Sequence, residues 1–135
     1  PEYSLLHREP EADVIPASAA NGISQVVYSP LAEGVLTGKY VPGEAASEGT
    51  RASARAQWME HFDDGVLERV QRLRPIADGL GLTMAQLALA WILREPNVAS
   101  AIVGSSRPDQ LRDNAAASGV SLDEATLAAI EAVFA

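Results

Sequence analysis

Along the chain, short unbroken apolar runs alternate with stretches in which apolar residues recur every three or four positions, and glycine, proline or a capping residue marks each switch. Tyr3 to Leu6 reads as a short strand. The acidic start, alanine-rich body and terminal Gly22 of "REPEADVIPASAANG" predict a short helix with Pro16 early in it. "ISQVVYS" (Ile23 to Ser29) is β-branched and aromatic between a glycine and a proline, which predicts a buried strand. From Val41 to Phe62 no period is sustained, and this long surface excursion is of the kind that carries function or moves. Val66, Leu67, Val70, Leu73, Ile76 and Ala77 then fall at helical spacing behind Asp63 or Asp64 as cap, with Pro75 set to kink or bound the helix. Thr83 and Gln86 form a capping-box pattern ahead of Leu87, Trp91 and Ile92, and Pro96 ends that helix. "SAIVGSS" predicts another buried strand. Ser106 as N-cap, Pro108 in the first turn and Asp109 at the positive end open the next helix. A second capping box, Ser121 with Glu124, opens a last helix over Leu122 to Phe134.

Strands of near-continuous apolar residues separated by helices predict a parallel α/β sheet buried on both faces, in one unit spanning 1–135. Alanine supplies 24 of the 135 residues, so the core should form from closely approaching helices and short side chains. The net charge of −8 disfavours nucleic acid and anionic membrane as partners, and any phosphate must be held locally against the global field. With no cysteine there is no disulfide, thiol nucleophile or cysteine-ligated zinc, a composition that fits a reducing cytoplasm. No apolar run approaches the ~20 residues of a membrane span.

"SPLAEGVLTGKY" (Ser29 to Tyr40) crowds two glycines, a threonine and the only lysine behind a strand. It is not a P-loop: Gly34 stands one residue too close to Gly38, Tyr40 replaces the hydroxyl residue, and "VPGE" follows where a helix is required. A plain glycine turn with a solvated Lys39 explains the loop taken alone. "AIVGSSRPDQLRDN" is a better-formed anion site, because Gly104, the serine hydroxyls and Arg107 converge at a strand-to-helix junction. Simple capping by Ser106 is the competing explanation, but Arg107 in a first turn opposes the helix dipole, which favours an anionic ligand. No G-x-S-x-G or H-E-x-x-H is present. His7 and His61 are isolated in sequence and read as surface or loop residues, the aspartates of "HFDD" read as helix caps, and no metal ligand is assigned. Lys39 and Tyr40 are adjacent, but neighbours in a loop need not face one site, and packing suffices for Trp58 and Trp91.

Taken together and in order, "EYSLLHR", "GISQVVYSPLAEGVLTGKY", "TRAS", "LALAWILREPNVASAIVGSSRPDQLRDN" and "LDEATLAAIE" resemble the cofactor half of the aldo-keto reductases, in the branch that includes bacterial stress-type reductases and voltage-gated potassium channel beta subunits. The resemblance implies the C-terminal part of a (β/α)8 TIM barrel, strands six to eight with their helices, and so an incomplete barrel. It implies an NADP-dependent oxidoreductase that reduces aldehydes or ketones. By the same resemblance Tyr28 lies near the nicotinamide, and Ser29, Pro30, Leu31, Ala32 and Gly34 pass under the pyrophosphate. Thr37 and Lys39 would contact diphosphate or ribose, and Arg51 would belong to a cofactor-covering loop over 41–62. Gly104, Ser106, Arg107, Gln110, Asp113 and Asn114 would hold the adenosine end, with Ser106 and Arg107 on the 2′-phosphate, which favours NADP over NAD.

The chain opens on "PEYSLL", as if entered midway, and the resemblance puts the catalytic Asp, Tyr, Lys and His before it. A full barrel takes about 250 residues. The expectation is therefore a chain that grips the cofactor but is inactive alone, with NADPH and a small carbonyl compound as the ligands of the full-length parent. The alternative is a non-catalytic NADP-binding regulatory or interaction module. Three parallel strands with open edges also predict self-association of the isolated piece.

Overall fold

Two parallel strands organise the molecule, and the computed structural model describes all of residues 1–135. Strand β1 (Gln25–Val27) pairs with β2 (Val98–Ala101), with Gln25 opposite Val98 and Val27 opposite Ala101. The expected first strand contracts to a single parallel bridge between Glu2 and Tyr28, where the Tyr28 amide donates to the Pro1 carbonyl at 3.0 Å. The reason is Ser4, a buried serine whose Oγ accepts the amides of Leu6 at 3.2 Å and His7 at 3.1 Å, so the chain turns back instead of extending.

The sheet is covered on one face only, which corrects the expectation of burial on both. Val27 is fully enclosed, whereas Val26, Tyr28 and Ile102 are 53%, 50% and 58% exposed. No single helix is long and apolar enough to cross a membrane.

Helix α1 (Val14–Ala20) carries Pro16 in its first turn and is capped by Asp13. The 41–62 excursion is not irregular throughout, because Thr50 caps a short helix, α2 (Arg51–Arg55), that runs into a 3-10 turn at Ala56–Trp58. Asp63 caps α3 (Asp64–Gln71), and Pro75 lies in the first turn of a separate α4 (Arg74–Gly79), so the proline bounds rather than kinks. Helix α5 (Met84–Leu93) starts at the expected capping box, with the Gln86 amide donating to Thr83 Oγ1 at 3.1 Å and the Thr83 amide to Gln86 Oε1 at 3.0 Å.

Two caps differ from expectation. Helix α6 (Pro108–Ala115) has Arg107 as its N-cap residue, because Ser106 Oγ turns to Gln110 Oε1 instead of to a helical amide. Helix α7 (Glu124–Phe134) is capped by Asp123, which accepts the Thr126 amide at 2.8 Å, two residues beyond the anticipated serine. An aspartate carboxylate next to the free amides is the stronger acceptor.

Helix α5 is the core element, buried from Leu87 to Ile92 and packed against β2, the 32–37 turn, α4 and α6. Trp91 is fully buried, 5.4 Å from the Tyr3 ring and 3.8 Å beneath the Arg94 guanidinium. Around it runs a polar cluster centred on Glu11. Arg8 donates to Glu11 Oε2 at 2.8 Å and Tyr3 to Glu11 Oε1 at 2.7 Å, while Arg8 Nη1 reaches Glu131 of α7 at 2.6 Å. Burial pushes the Tyr3 hydroxyl up to about 12. For Glu11, burial works against the charge, but hydrogen bonds from Arg8 and Tyr3 outweigh it and hold the carboxyl below its usual 4.5. Its stabilising share is therefore present above that value and lost as pH falls through the lower folded one. The melting temperature is expected to drop on acidification below pH 4.5, with a shallower acid limb for Glu11→Gln in thermal scans. At pH 7 the same substitution should cost only about 1 kcal/mol, since solvent screens this pair, whose side chains are 32% and 30% exposed.

Candidate functional site

The parallel pairing of β1 and β2 brings both strands out at the same end of the sheet, so Ser29 to Tyr40 and Gly104 to Asn114 emerge side by side. In the first loop Ser29, Ala32 and Glu33 all have positive φ, at 52°, 46° and 57°. Such conformations cost side-chain-bearing residues of order 1 kcal/mol or more each and persist where the surroundings enforce them. Here the enforcement is burial of Pro30, Ala32, Val35 and Leu36 and a clamp from below: Gln71 Nε2 donates to the Gly38 and Tyr40 carbonyls, and Arg74 Nη2 to Gly38.

The clamp presents the polar groups of the loop. Thr37 Oγ1 donates to the Gly34 carbonyl at 2.7 Å. Lys39 folds back over Gly34, so closely that a Cβ there would sit 3.0 Å from Nζ. The ammonium lies 5.1 Å from the centre of the Tyr40 ring, and no carboxylate pairs with it. Tyr40 is buried, and its hydroxyl accepts the Ala52 amide at 3.3 Å, so it and Lys39 are not an acid-base pair. Leu31 is half-buried, and Tyr28 stands exposed at the end of β1.

Arg51 crosses from α2 to Glu33 at 3.0 Å, a bridge over the strained turn. Beneath it is a cleft of ≈ 410 Å³ lined by Glu33, Thr50, Arg51, Arg55 and Trp58. Trp58 is 78% exposed, so the packing role expected for it does not hold; Trp91 alone is a core tryptophan.

In the second loop the Ser106 amide and hydroxyl both converge on Gln110 Oε1, at 3.1 and 3.2 Å. Arg107 Nε pairs with Asp109 Oδ1 at 3.1 Å, a hydrogen bond that holds Asp109 below its usual 3.8. These donors thus close on side-chain oxygens in the way they would close on oxygens of a bound anion. Gly104 is open to solvent. Asp113 contributes its carbonyl to Gln86 at 2.8 Å, and the side chains of Asp113 and Asn114 make no hydrogen bond.

Four features were invisible along the sequence: the Glu33–Arg51 bridge, the exposed Trp58, the Gln71–Arg74 clamp and the proximity of His7 to Glu60 and His61. Three of them join residues with no shared period, and Trp58 sits in a stretch without one.

The model of the "Aldo/keto reductase family" matches residues 1–135. A probable voltage-gated potassium channel subunit beta of Arabidopsis thaliana is 42% identical over 117 residues, covering 84% of this chain and 36% of that protein. The NADH-specific methylglyoxal reductase of Escherichia coli is 36% identical over 129 residues, covering 92% of this chain and 37% of the relative. In structure, the glycerol dehydrogenase of Gluconobacter oxydans superposes with a TM-score of 0.82 at 22% identity, over 99% of this chain and 41% of that one. The chain thus spans little more than a third of the length of the curated relatives it matches. With the family match running from the first residue to the last and an α/β fold like that of a solved dehydrogenase, this chain belongs to the aldo/keto reductase family.

Proposed function

We propose that the chain is the cofactor-binding C-terminal portion of an NADP-dependent oxidoreductase that reduces aldehydes or ketones. The segment at the Glu2–Tyr28 bridge, β1 and β2 would be the sixth, seventh and eighth strands of an eight-stranded barrel, and the catalytic tetrad would come from residues outside this chain. The observation that carries the reading is the pair of loops at one sheet end. One offers an unpaired Lys39 and the other offers Ser106 and Arg107, in a molecule otherwise rich in negative charge. The cofactor would supply the hydride. The chain's residues would bind and orient it: Tyr28 against the nicotinamide, Ser29 to Gly34 along the pyrophosphate, Lys39 and Thr37 on diphosphate or ribose, and Arg51 across the top after releasing Glu33. Ser106 and Arg107 would take the 2′-phosphate in place of Gln110 and Asp109. The exposed face of β1 and β2 would be covered by the rest of the barrel, or by another copy when the piece stands alone.

Preference for NADP is the sharpest part, because one relative bears an NADH-specific name. Fluorescence titration of the chain should show NADPH binding more tightly than NADH. Arg107→Ala should weaken NADPH by about tenfold and leave NADH nearly unchanged, the loss of one charge-assisted contact. The same protein mixed with NADPH and a reactive aldehyde should give no turnover. Equal affinity for the two cofactors would refute the NADP assignment, and turnover would refute a tetrad lying outside this chain. The second reading, a non-catalytic NADP-binding regulatory or interaction module, is favoured by the Arabidopsis relative's name. It predicts the same binding, with no tetrad in the full-length protein.

A further inference from the structure

We propose that His7, Glu60 and His61 form a transition-metal site suited to zinc. Each residue offers a ligand atom within 4.8 Å of the others, although His7 follows the Ser4 turn and the other two stand just before α3. Zinc bonds of ~2.0–2.1 Å put tetrahedral ligands about 3.4 Å apart, so ligand atoms within 4.8 Å of one another need at most about 1.4 Å of closure. Two imidazoles and one carboxylate suit zinc or its neighbours and not magnesium or calcium, which take oxygen ligands.

Two observations beyond proximity point to a ligand. The Nε2 atom of His61 is buried and has no hydrogen-bond partner in the protein. A buried imidazole nitrogen without a partner has given up its hydration for nothing in return, and closure of a metal site on it would remove the deficit. Glu9 Oε2 lies 3.4 Å from His7 Nε2, which places a carboxylate where it can serve as an outer partner when the other ring nitrogen holds the metal. Three protein ligands leave a fourth position for water. The metal would tie the end of the 41–62 excursion to the N-terminal turn, next to a cleft that His7 and Glu9 share with Tyr28.

The chain has no cysteine and no third histidine, which makes the test sharp. Chelator-treated protein titrated calorimetrically with zinc chloride should bind one equivalent, and cobalt chloride should give the intense visible bands of a four-coordinate site. His7→Asn, His61→Asn and Glu60→Gln should each weaken binding by ~10-fold or more, while Glu68→Gln on α3 leaves it unchanged. Circular dichroism checks that the variants fold. Should one fail, the wild-type cobalt spectrum still decides: the weak spectrum of hexahydrated cobalt overturns the site. Binding that survives loss of either histidine overturns it as well.

Discussion

Trp91→Ala is expected to remove a large part of the stability of the chain. The side chain is fully buried at the centre of α5, against the Tyr3 ring on one side and the Arg94 guanidinium on another. Truncating a buried tryptophan costs about 3–5 kcal/mol through lost transfer energy and the cavity left behind. The cation-π contacts with Arg94 and, at 5.0 Å, Arg8 add ~0.5–2 kcal/mol. A domain of this size has roughly 5–15 kcal/mol in total, so urea denaturation should show a sharply lowered midpoint or no cooperative transition. Trp91→Phe separates the contributions. The indole Nε1 is buried without an acceptor, so phenylalanine removes an unpaired donor as well as some volume and should cost well under half as much. A loss below ~1.5 kcal/mol for the alanine variant would mean that α5 is not the keystone of the packing.

Where local chemistry sets the structure, the sequence was a sufficient guide. The Thr83/Gln86 box, the Asp63 cap and Pro75 as a boundary each depend on residues within one turn, and each is in place. The misses come from competition between acceptors or from long-range geometry. Ser4 takes the amides that would have extended a strand, Gln110 draws Ser106 from its cap, and Asp123 outcompetes Ser121. The missing burial on the outer face of β1 and β2 has another origin. Apolar alternation reports what a face is built to contact, and Val26, Tyr28 and Ile102 have no such contact within these 135 residues.

The site divides in the same way. Parallel strands, glycine-rich turns and a basic helix start could be read in order, because a strand followed by glycine and a helix start is a local pattern. The strain at Ser29, Ala32 and Glu33 could not, since none of these residues announces positive φ. Nor could the histidine cluster, because His7 and His61 share no periodicity and meet only through folding of the excursion onto the N-terminal turn. Trp58 sits in an aperiodic stretch that says nothing about which way its indole faces.

Gly38→Ala should couple stability to the loop in a way that a matched control does not. Gly38 has φ of 73° and Gly43 has φ of 75°, so alanine pays about the same backbone cost at both, ~1 kcal/mol. Their surroundings differ. Nothing lies within 4 Å of a Cβ at Gly43, whereas at Gly38 it would collide with Met84 Sδ at the start of α5 and lie 2.9 Å from Arg74 Nη2. The thioether can swing away, but Arg74 cannot retreat without loosening its 3.0 Å bond to the Gly38 carbonyl and its 3.1 Å bond to Gln71 Oε1. Overpacking of this kind adds ~1–3 kcal/mol, giving a total near 2–4 kcal/mol against ~1 for Gly43→Ala. The clamp grips the carbonyls on either side of Lys39, so, if the chain binds NADPH as proposed, Gly38→Ala should weaken that binding under conditions where both variants remain folded, and Gly43→Ala should not. Equal denaturation midpoints for the two variants would show that backbone conformation alone sets the cost, and that the contact with Met84 and Arg74 does not constrain the loop.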